Sequence, residues 1–184
     1  MTFLAIVLSI LSGSVSAALA AYLGWRNLLG LENEKVARGR NATGVLLQAE
    51  LALFYRDLAD HNRKVKGYAG QVYGQVDALL ARQFPSFLID REQFPIFYGS
   101  FSAIGLFDKD LTCRIVFCYS NMLEHGYLER KFIDDLGDLI NSSELGRRAD
   151  ELWKRGDVLL IQIGDMIESL ARASQAIPFS RAQA

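Results

Sequence analysis

The stretch that decides the fold is FLAIVLSILSGSVSAALAAYLGW, residues Phe3–Trp25, which contains no charged side chain. At a rise of about 1.5 Å per residue, a helix of this length would extend about 34 Å and could cross a hydrocarbon core of about 30 Å. Lipid offers the backbone no hydrogen-bonding partner, so we expect this run to be helical despite Gly13 and Gly24. We therefore predict an N-terminal transmembrane anchor at residues 1–26.

The alternative is a signal peptide that is cleaved near the small residues Ser16, Ala17 and Ala18. A signal peptide usually begins with Lys or Arg and has a shorter apolar core, whereas no Lys or Arg precedes this run. Both differences favour an uncleaved anchor, and cleavage stays open as the second interpretation.

The basic residues closest to the run all follow it, at Arg26, Lys35, Arg38 and Arg40. Lys and Arg flank membrane spans mainly on the cytoplasmic side. The sequence thus predicts a single-pass protein of the inner (cytoplasmic) membrane, with the bulk of the chain in the cytoplasm.

One face of the predicted anchor consists of small residues at four-residue spacing. Such a face lets two membrane helices approach closely, which predicts association with a protein partner or a second copy. Small residues are also common in spans that do not associate, so this second explanation stays open. The residues of the face are Ser9, Gly13, Ala17 and Ala21.

The composition bounds the rest of the chain. Of the 184 residues, the part after the anchor is enough for one ordinary domain, predicted at residues 27–178 with a disordered tail at 179–184. The net charge of −1 argues against a nucleic-acid partner. Cys113 and Cys118 fit no zinc pattern and are expected to be reduced packing residues. No cofactor motif is present.

Beyond residue 31, apolar residues recur in steps of four and three, which predicts long amphipathic helices. No segment alternates with a period of two, so we expect no sheet. The fold class predicted is all-α, an N-terminal transmembrane helix followed by an antiparallel bundle of three or four long helices. The three seams are Leu47, Leu51, Phe54, Leu58, His61, Val65, Tyr68 and Val72, continued by Val76 and Leu79; Leu111, Ile115, Cys118, Met122, His125, Glu129, Phe132, Leu136 and Leu139; and Leu145, Ala149, Leu152, Gly156, Leu159, Ile163, Met166, Leu170 and Ala173.

Two regions between the seams carry open questions. Gly67, Gly70 and Gly74 weaken helix formation, so residues 31–84 are predicted as either one helix or two. A short helix that Asp90 caps is predicted from about Arg91, with most of its aromatic residues in the core. Any exposed part would mark a docking patch. The aromatic residues around the two prolines are Phe84, Phe87, Phe94, Phe97, Tyr98 and Phe101.

Some stretches carry a resemblance. They are Leu46–Leu53 with Glu50 among aliphatics, then Ile104-Gly105-Leu106-Phe107, Asp110-Leu111 and Ile115-Val116-Phe117-Cys118-Tyr119. Together they resemble uncharacterised, single-span, membrane-anchored bacterial proteins with a cytoplasmic helical-bundle domain. Cys118 stands where those proteins more often carry Phe or a charged residue. The resemblance implies the architecture and no activity.

The candidate chemistry consists of two carboxylate and histidine pairs at four-residue spacing, Asp57 with His61 and His125 with Glu129. Such pairs could face a bundle interior, where carboxylates and imidazoles bind transition metals. The other explanation is a hydrogen-bonded polar layer that fixes helix register.

These features predict a membrane-anchored interaction or scaffold module without catalysis, whose partners are the lipid bilayer and a protein or a second copy. The alternative function is a membrane-tethered sensor or signalling component whose bundle responds to a small molecule or a metal. A metal-dependent enzyme is the remaining exception.

Overall fold

The computed structural model describes residues 2–72, 84–87, 89–136 and 142–175, with side chains from Ala20 onward apart from those of Ser142 and Gln175. Within these residues the protein is helical and contains no strand, which confirms the all-α prediction. The α-helices are α1 (Thr2–Val72), α2 (Pro95–Gly99), α3 (Phe101–Ile104), α4 (Lys109–Asp135) and α5 (Ser142–Gln175), and a 3₁₀ turn at Arg91–Gln93 precedes α2.

The chain forms two compact units, residues 1–39 and residues 40–184. In the first unit, the side chains from Ala20 to Val36 are all exposed. The predicted anchor Phe3–Trp25 is helical, but its side chains up to Leu19 lie outside the described residues. Among the residues that are described, no helix has the length and apolar character of a membrane span. The predicted boundary at residue 26 stays a prediction.

The second unit is a bundle of α4, α5 and the part of α1 that begins at Arg40. Helices α4 and α5 are antiparallel, because Arg114, Asn121 and Asp135 on α4 bond to Ser169, Gln162 and Arg148 on α5, in reverse order. The described seam residues are buried, apart from Leu136 and Ala173, which are half-buried, and this confirms the seams as the core. Val76, Leu79 and Leu139 lie outside the described residues. Burying a large apolar side chain contributes about 1.5–3 kcal/mol, so these seams provide most of the bundle's stability.

Helix α1 continues without interruption to Val72. It therefore passes Gly67 and Gly70, where a Cβ atom would meet nothing within 4 Å. The two glycines lower helix propensity without causing a break, since the buried Val65, Tyr68 and Val72 hold this end of the helix in the core. The rest of the predicted stretch, at residues 73–83, lies outside the described residues.

The connector between α1 and α4 differs from the single short helix that was predicted. Asp90 caps the 3₁₀ turn, where it accepts a hydrogen bond of 2.9 Å from the Glu92 N–H. Pro95, which has no N–H to donate, then begins a new helix as its first residue, and Ser100 separates α2 from α3. Asp108 caps α4 through the Leu111 N–H at 2.9 Å.

The aromatic residues of the connector are only partly in the core. Phe94 and Phe97 are buried, and Phe84 and Phe87 are half-buried. Tyr98 and Phe101 are exposed, so fewer of these aromatic residues lie in the core than the sequence predicted. The break at Ser100 explains the difference, because it separates Phe101 from the helix that buries Phe97.

The two cysteines also differ from each other, although both are unpaired. Cys113 is exposed, whereas Cys118 lies in the main core. Burial raises the pKa of the Cys118 thiol to about 12, so this thiol stays protonated and behaves as a small apolar side chain.

Candidate functional site

A cluster of His61, His125 and Glu129 occupies the middle of the bundle. His61 projects from α1, and the other two residues lie one turn apart on α4. His61 Nε2 is 3.2 Å from Glu129 Oε2, and the two side chains are only 7% and 2% exposed. Two of the four residues that the sequence marked as metal candidates thus meet across helices, and a third lies beside them.

The connector closes this cluster from one side. The Phe87 N–H donates a hydrogen bond of 2.7 Å to Glu129 Oε1. The Phe87 ring stacks on the imidazole of His61, with ring centres 5.3 Å apart and planes 29° apart. Glu129 Oε1 therefore binds the connector, and only Glu129 Oε2 faces His61.

Two polar atoms of the cluster, His125 Nδ1 and Glu129 Oε2, have no hydrogen-bond partner among the described residues. The 3.2 Å approach of His61 to Glu129 is an ion-pair distance whose alignment is not that of a hydrogen bond. Burial lowers the pKa of His125, and the neighbouring Glu129 opposes this effect without overcoming it. His125 is therefore neutral in the folded protein at neutral pH.

This shift makes stability depend on pH. The unfolded chain binds a proton at His125 below its ordinary pKa of about 6.5, whereas the folded chain binds it only at lower pH. Stability should therefore fall as the pH decreases from about 7 through 6.5 and level off below the folded pKa. We expect His125→Gln to unfold with a weaker dependence on pH in this range, measured by thermal unfolding at a series of pH values.

The control is His61→Gln, which removes the only other histidine of the chain. His61, Glu129 and Arg155 all influence the pKa of His125. The quantity to compare between variants is therefore the change of unfolding temperature with pH, and not the absolute stability. An equal pH dependence in wild type and His125→Gln would contradict the assignment.

Asp57, the fourth metal candidate, does not join the cluster. Its side chain is 49% exposed and pairs at 3.0 Å with its neighbour Arg56. Within the described parts of the chain, no three His, Cys, Asp or Glu side chains are arranged to hold a metal ion. The cluster therefore has the geometry of a polar layer between helices, with two atoms free to accept a proton or a ligand group.

Two surface clefts include a histidine of the cluster in their lining. One, of about 800 Å³, is lined by α1 residues including His61 and by residues 85–87 of the connector. The other, of about 180 Å³, lies between α4 and α5 and is lined in part by His125. Each cleft is open to solvent and brings a small solute close to one imidazole.

A second polar centre surrounds Glu50, which the sequence did not mark as a site residue. Its Oε1 accepts a hydrogen bond of 2.7 Å from the Ile96 N–H. Its Oε2 accepts bonds of 3.2 Å from the Phe97 N–H and 2.8 Å from the Tyr119 hydroxyl. The carboxylate thus caps the first turn of α2 from another helix, where a negative charge is favourable. The sequence did contain a signal for this role: Glu50 is the only charged residue between Arg40 and Arg56, in a stretch that also carries the α1 seam.

The Tyr119 hydroxyl is fixed by the same carboxylate. Burial raises the pKa of Tyr119, and the negative charge of Glu50 raises it further. Tyr119 therefore stays a hydrogen-bond donor at any physiological pH. The ring stacks on Phe97 at 3.9 Å between centres, so Glu50, Tyr119 and the α2 backbone form one packed unit.

Asn62 joins α1 to α5 in a comparable way. Its Nδ2 donates to the Asp157 carboxylate at 2.7 Å and to the Trp153 carbonyl at 3.0 Å. Gly156 makes room for this amide, because a Cβ atom at that position would overlap the Asn62 side chain. The buried polar residues of the bundle therefore mostly bind its own backbone and side chains.

Comparison with known proteins adds no family to this picture. The chain matches no protein-family model, no curated protein and no solved structure at a significant level. The resemblance to single-span bacterial proteins with a helical bundle therefore stays a prediction from the sequence.

Proposed function

We propose that this protein is a single-pass interaction or scaffold module of the inner membrane, anchored by residues 1–26, with its helical bundle in the cytoplasm and no catalytic role. The observation that carries the proposal is the exposed apolar surface of α1 at the end of the predicted span and just beyond it. Its members are Tyr22, Leu23, Trp25, Leu28, Leu29 and Leu31, each at least 40% exposed.

These six side chains are distributed around the helix, since at 100° per residue no gap between them exceeds about 100°, with Arg26 and Asn27 among them. Large apolar side chains spread around a helix in this way are normally buried in protein or in lipid. Leaving a large apolar side chain in water forgoes about 1.5–3 kcal/mol. A bilayer and its interface would cover them, and the uncharged run Phe3–Trp25, which includes the first three, has the length that a span needs.

The interior of the bundle supports a scaffold. Glu50 and Glu129 each accept backbone hydrogen bonds from the connector, and Asn62 bonds to α5. These groups fix the shape of the bundle and the position of its connector. A rigid shape of this kind suits a module that presents surfaces to a partner.

Membrane fractionation of the full chain tests the anchor. We expect the protein to stay in the pellet after alkaline carbonate extraction, and a reporter at its C-terminus to be cytoplasmic. A variant without residues 2–26 should move to the supernatant and keep a helical circular dichroism spectrum. A wild-type chain in the supernatant, an external reporter or a product shortened near Ala17 would each contradict the proposal.

A second candidate function is a membrane-tethered sensor that responds to a small molecule or a metal. The observation that favours it is the pair of unpartnered buried atoms, His125 Nδ1 and Glu129 Oε2, near two solvent-open clefts. An incoming cation or hydrogen-bonding solute would satisfy both atoms. Elemental analysis of the purified chain checks the metal form of this candidate, and the absence of stoichiometric metal would end it.

A further inference from the structure

The outward side of α1 between Arg40 and Arg56 is apolar, although it faces solvent. We name its members the outer stripe: Ala42, Val45, Leu46, Ala49, Ala52 and Leu53, all of which are exposed. Val45, Leu46 and Leu53 are 56%, 49% and 57% exposed. The stripe lies opposite the seam of α1, because Leu47, Leu51 and Leu58 are fully buried on the other side.

The stripe differs in charge from the rest of α1 and from α5, whereas α4 exposes a shorter apolar pair, Val116 and Phe117. The same outward side of α1 becomes charged beyond it, at Arg56, Asp60, Arg63 and Lys64. On α5, charged residues interrupt the exposed apolar positions, as with Arg155 and Asp157 beside Val158. Between residues 41 and 55, the only charged residue is Glu50, which is buried. Three turns of α1 are therefore apolar on both sides. This is the pattern of a helix that packs against one neighbour on each side.

We propose that the outer stripe pairs with the same stripe of a second copy, with the two α1 helices parallel. The spacing identifies the occupant as another helix, because Ala42, Leu46, Ala49 and Leu53 follow steps of four, three and four. This repeat keeps one line of side chains in contact with a partner helix. Alanine at every second position of that line lets the two helix axes approach closely. A lipid surface requires no such repeat.

The parallel direction rests on the proposed function. Two copies anchored by the same N-terminal segment enter the bundle from the same side of one membrane, so their stripes run in the same direction. Each residue of the outer stripe then lies beside the same residue of the second copy. In an antiparallel pair centred on this stripe, Ala42 would lie about 16 Å along the helix from the Ala42 of the other copy.

The size of the stripe fits a tethered pair. Three turns from each copy bury on the order of 1,000 Å² in total, which is near the lower limit for a specific interface. Two chains that share a membrane have a high effective concentration, so a weak helix pair can form there without further contacts. A scaffold built in this way would present two bundles to a partner.

Cysteine cross-linking in isolated membranes tests the pairing. The background is the full chain with Cys113→Ser; Cys118 is kept because it is buried and its thiol pKa is raised to about 12. Ala42→Cys and Leu53→Cys, each alone, should form disulfide dimers of twice the chain mass about tenfold faster than the control, since pairing raises the effective concentration. The control is Ile161→Cys on the outward side of α5, which is 66% exposed and is not in the stripe.

The outcomes separate this inference from the proposed function. Equal rates at the stripe and at Ile161, or adducts with a protein of another mass, would overturn pairing between copies. Cross-links between Ala42→Cys and Leu53→Cys chains, without cross-links at the same position, would overturn the parallel direction. A chain found in the soluble fraction would contradict the anchor, and the cross-linking pattern in that fraction would still decide whether the stripe pairs.

Discussion

Glu50→Ala is expected to lower the free energy of unfolding by about 3–5 kcal/mol. The substitution removes the acceptor of three donors, the N–H groups of Ile96 and Phe97 and the hydroxyl of Tyr119. A buried donor left without a partner costs about 1–3 kcal/mol, and water does not replace the carboxylate here because Glu50 and Tyr119 are buried. Urea unfolding of the chain in detergent, followed by circular dichroism, measures the change.

Two variants show whether the loss comes from these hydrogen bonds. Glu50→Gln keeps one acceptor oxygen and should cost clearly less than Glu50→Ala, since at least one α2 donor retains its bond. Glu92→Ala removes an exposed glutamate of the same connector and should change stability by less than about 0.5 kcal/mol. The interpretation would be wrong if Glu50→Ala behaved like Glu92→Ala.

The seams were predictable from the sequence because a helical period reports burial directly. Every described seam residue from Leu47 to Val72 is buried, and so are those of α4 and α5 up to Phe132 and Leu170. The position of Asp57 also follows from the period. The seam passes through Phe54, Leu58 and His61, so Asp57 lies off it and faces solvent.

The polar interior was predictable only in part. The sequence placed His61 on one seam and His125 and Glu129 on another. Parallel packing of α1 and α4 brings the three together, since Glu50 and His61 of α1 contact Tyr119 and Glu129 of α4 in the same order along both helices. The predicted antiparallel arrangement holds for α4 and α5 but not for this pair of helices. The roles of Glu50 and of the second Glu129 oxygen were not predictable, because their partners are backbone N–H groups more than 40 residues away. Backbone groups are the same at every position, so no pattern of side chains marks them.

The connector was the least predictable segment, because packing against the bundle sets its path more than the conformational preferences of its own residues do. Local rules predicted its Asp90 cap. They did not indicate that Ile89 passes directly over α4. That contact depends on one residue of α4, Gly126, which is buried and has no side chain to keep the connector away.

Gly126→Ala should therefore destabilise the protein by about 2 kcal/mol, the usual cost of inserting a methyl group into a packed core. A Cβ atom at this position would lie 2.5 Å from the Ile89 Cβ and 2.7 Å from the Ile89 carbonyl oxygen. Because backbone atoms are involved, the connector itself would have to move. The Phe87 N–H, two residues away, would then be drawn from Glu129, which adds to the loss.

The matched control is Gly67→Ala on α1, where a Cβ atom meets nothing within 4 Å. Alanine favours a helix over glycine by up to about 1 kcal/mol, so this variant should be more stable than wild type. The same substitution thus changes the stability in opposite directions at two helical glycines. The contact with Ile89 is the reason for the difference. A stabilising Gly126→Ala, measured by urea unfolding beside Gly67→Ala, would show that propensity dominates at both positions and that the connector does not pack closely on α4.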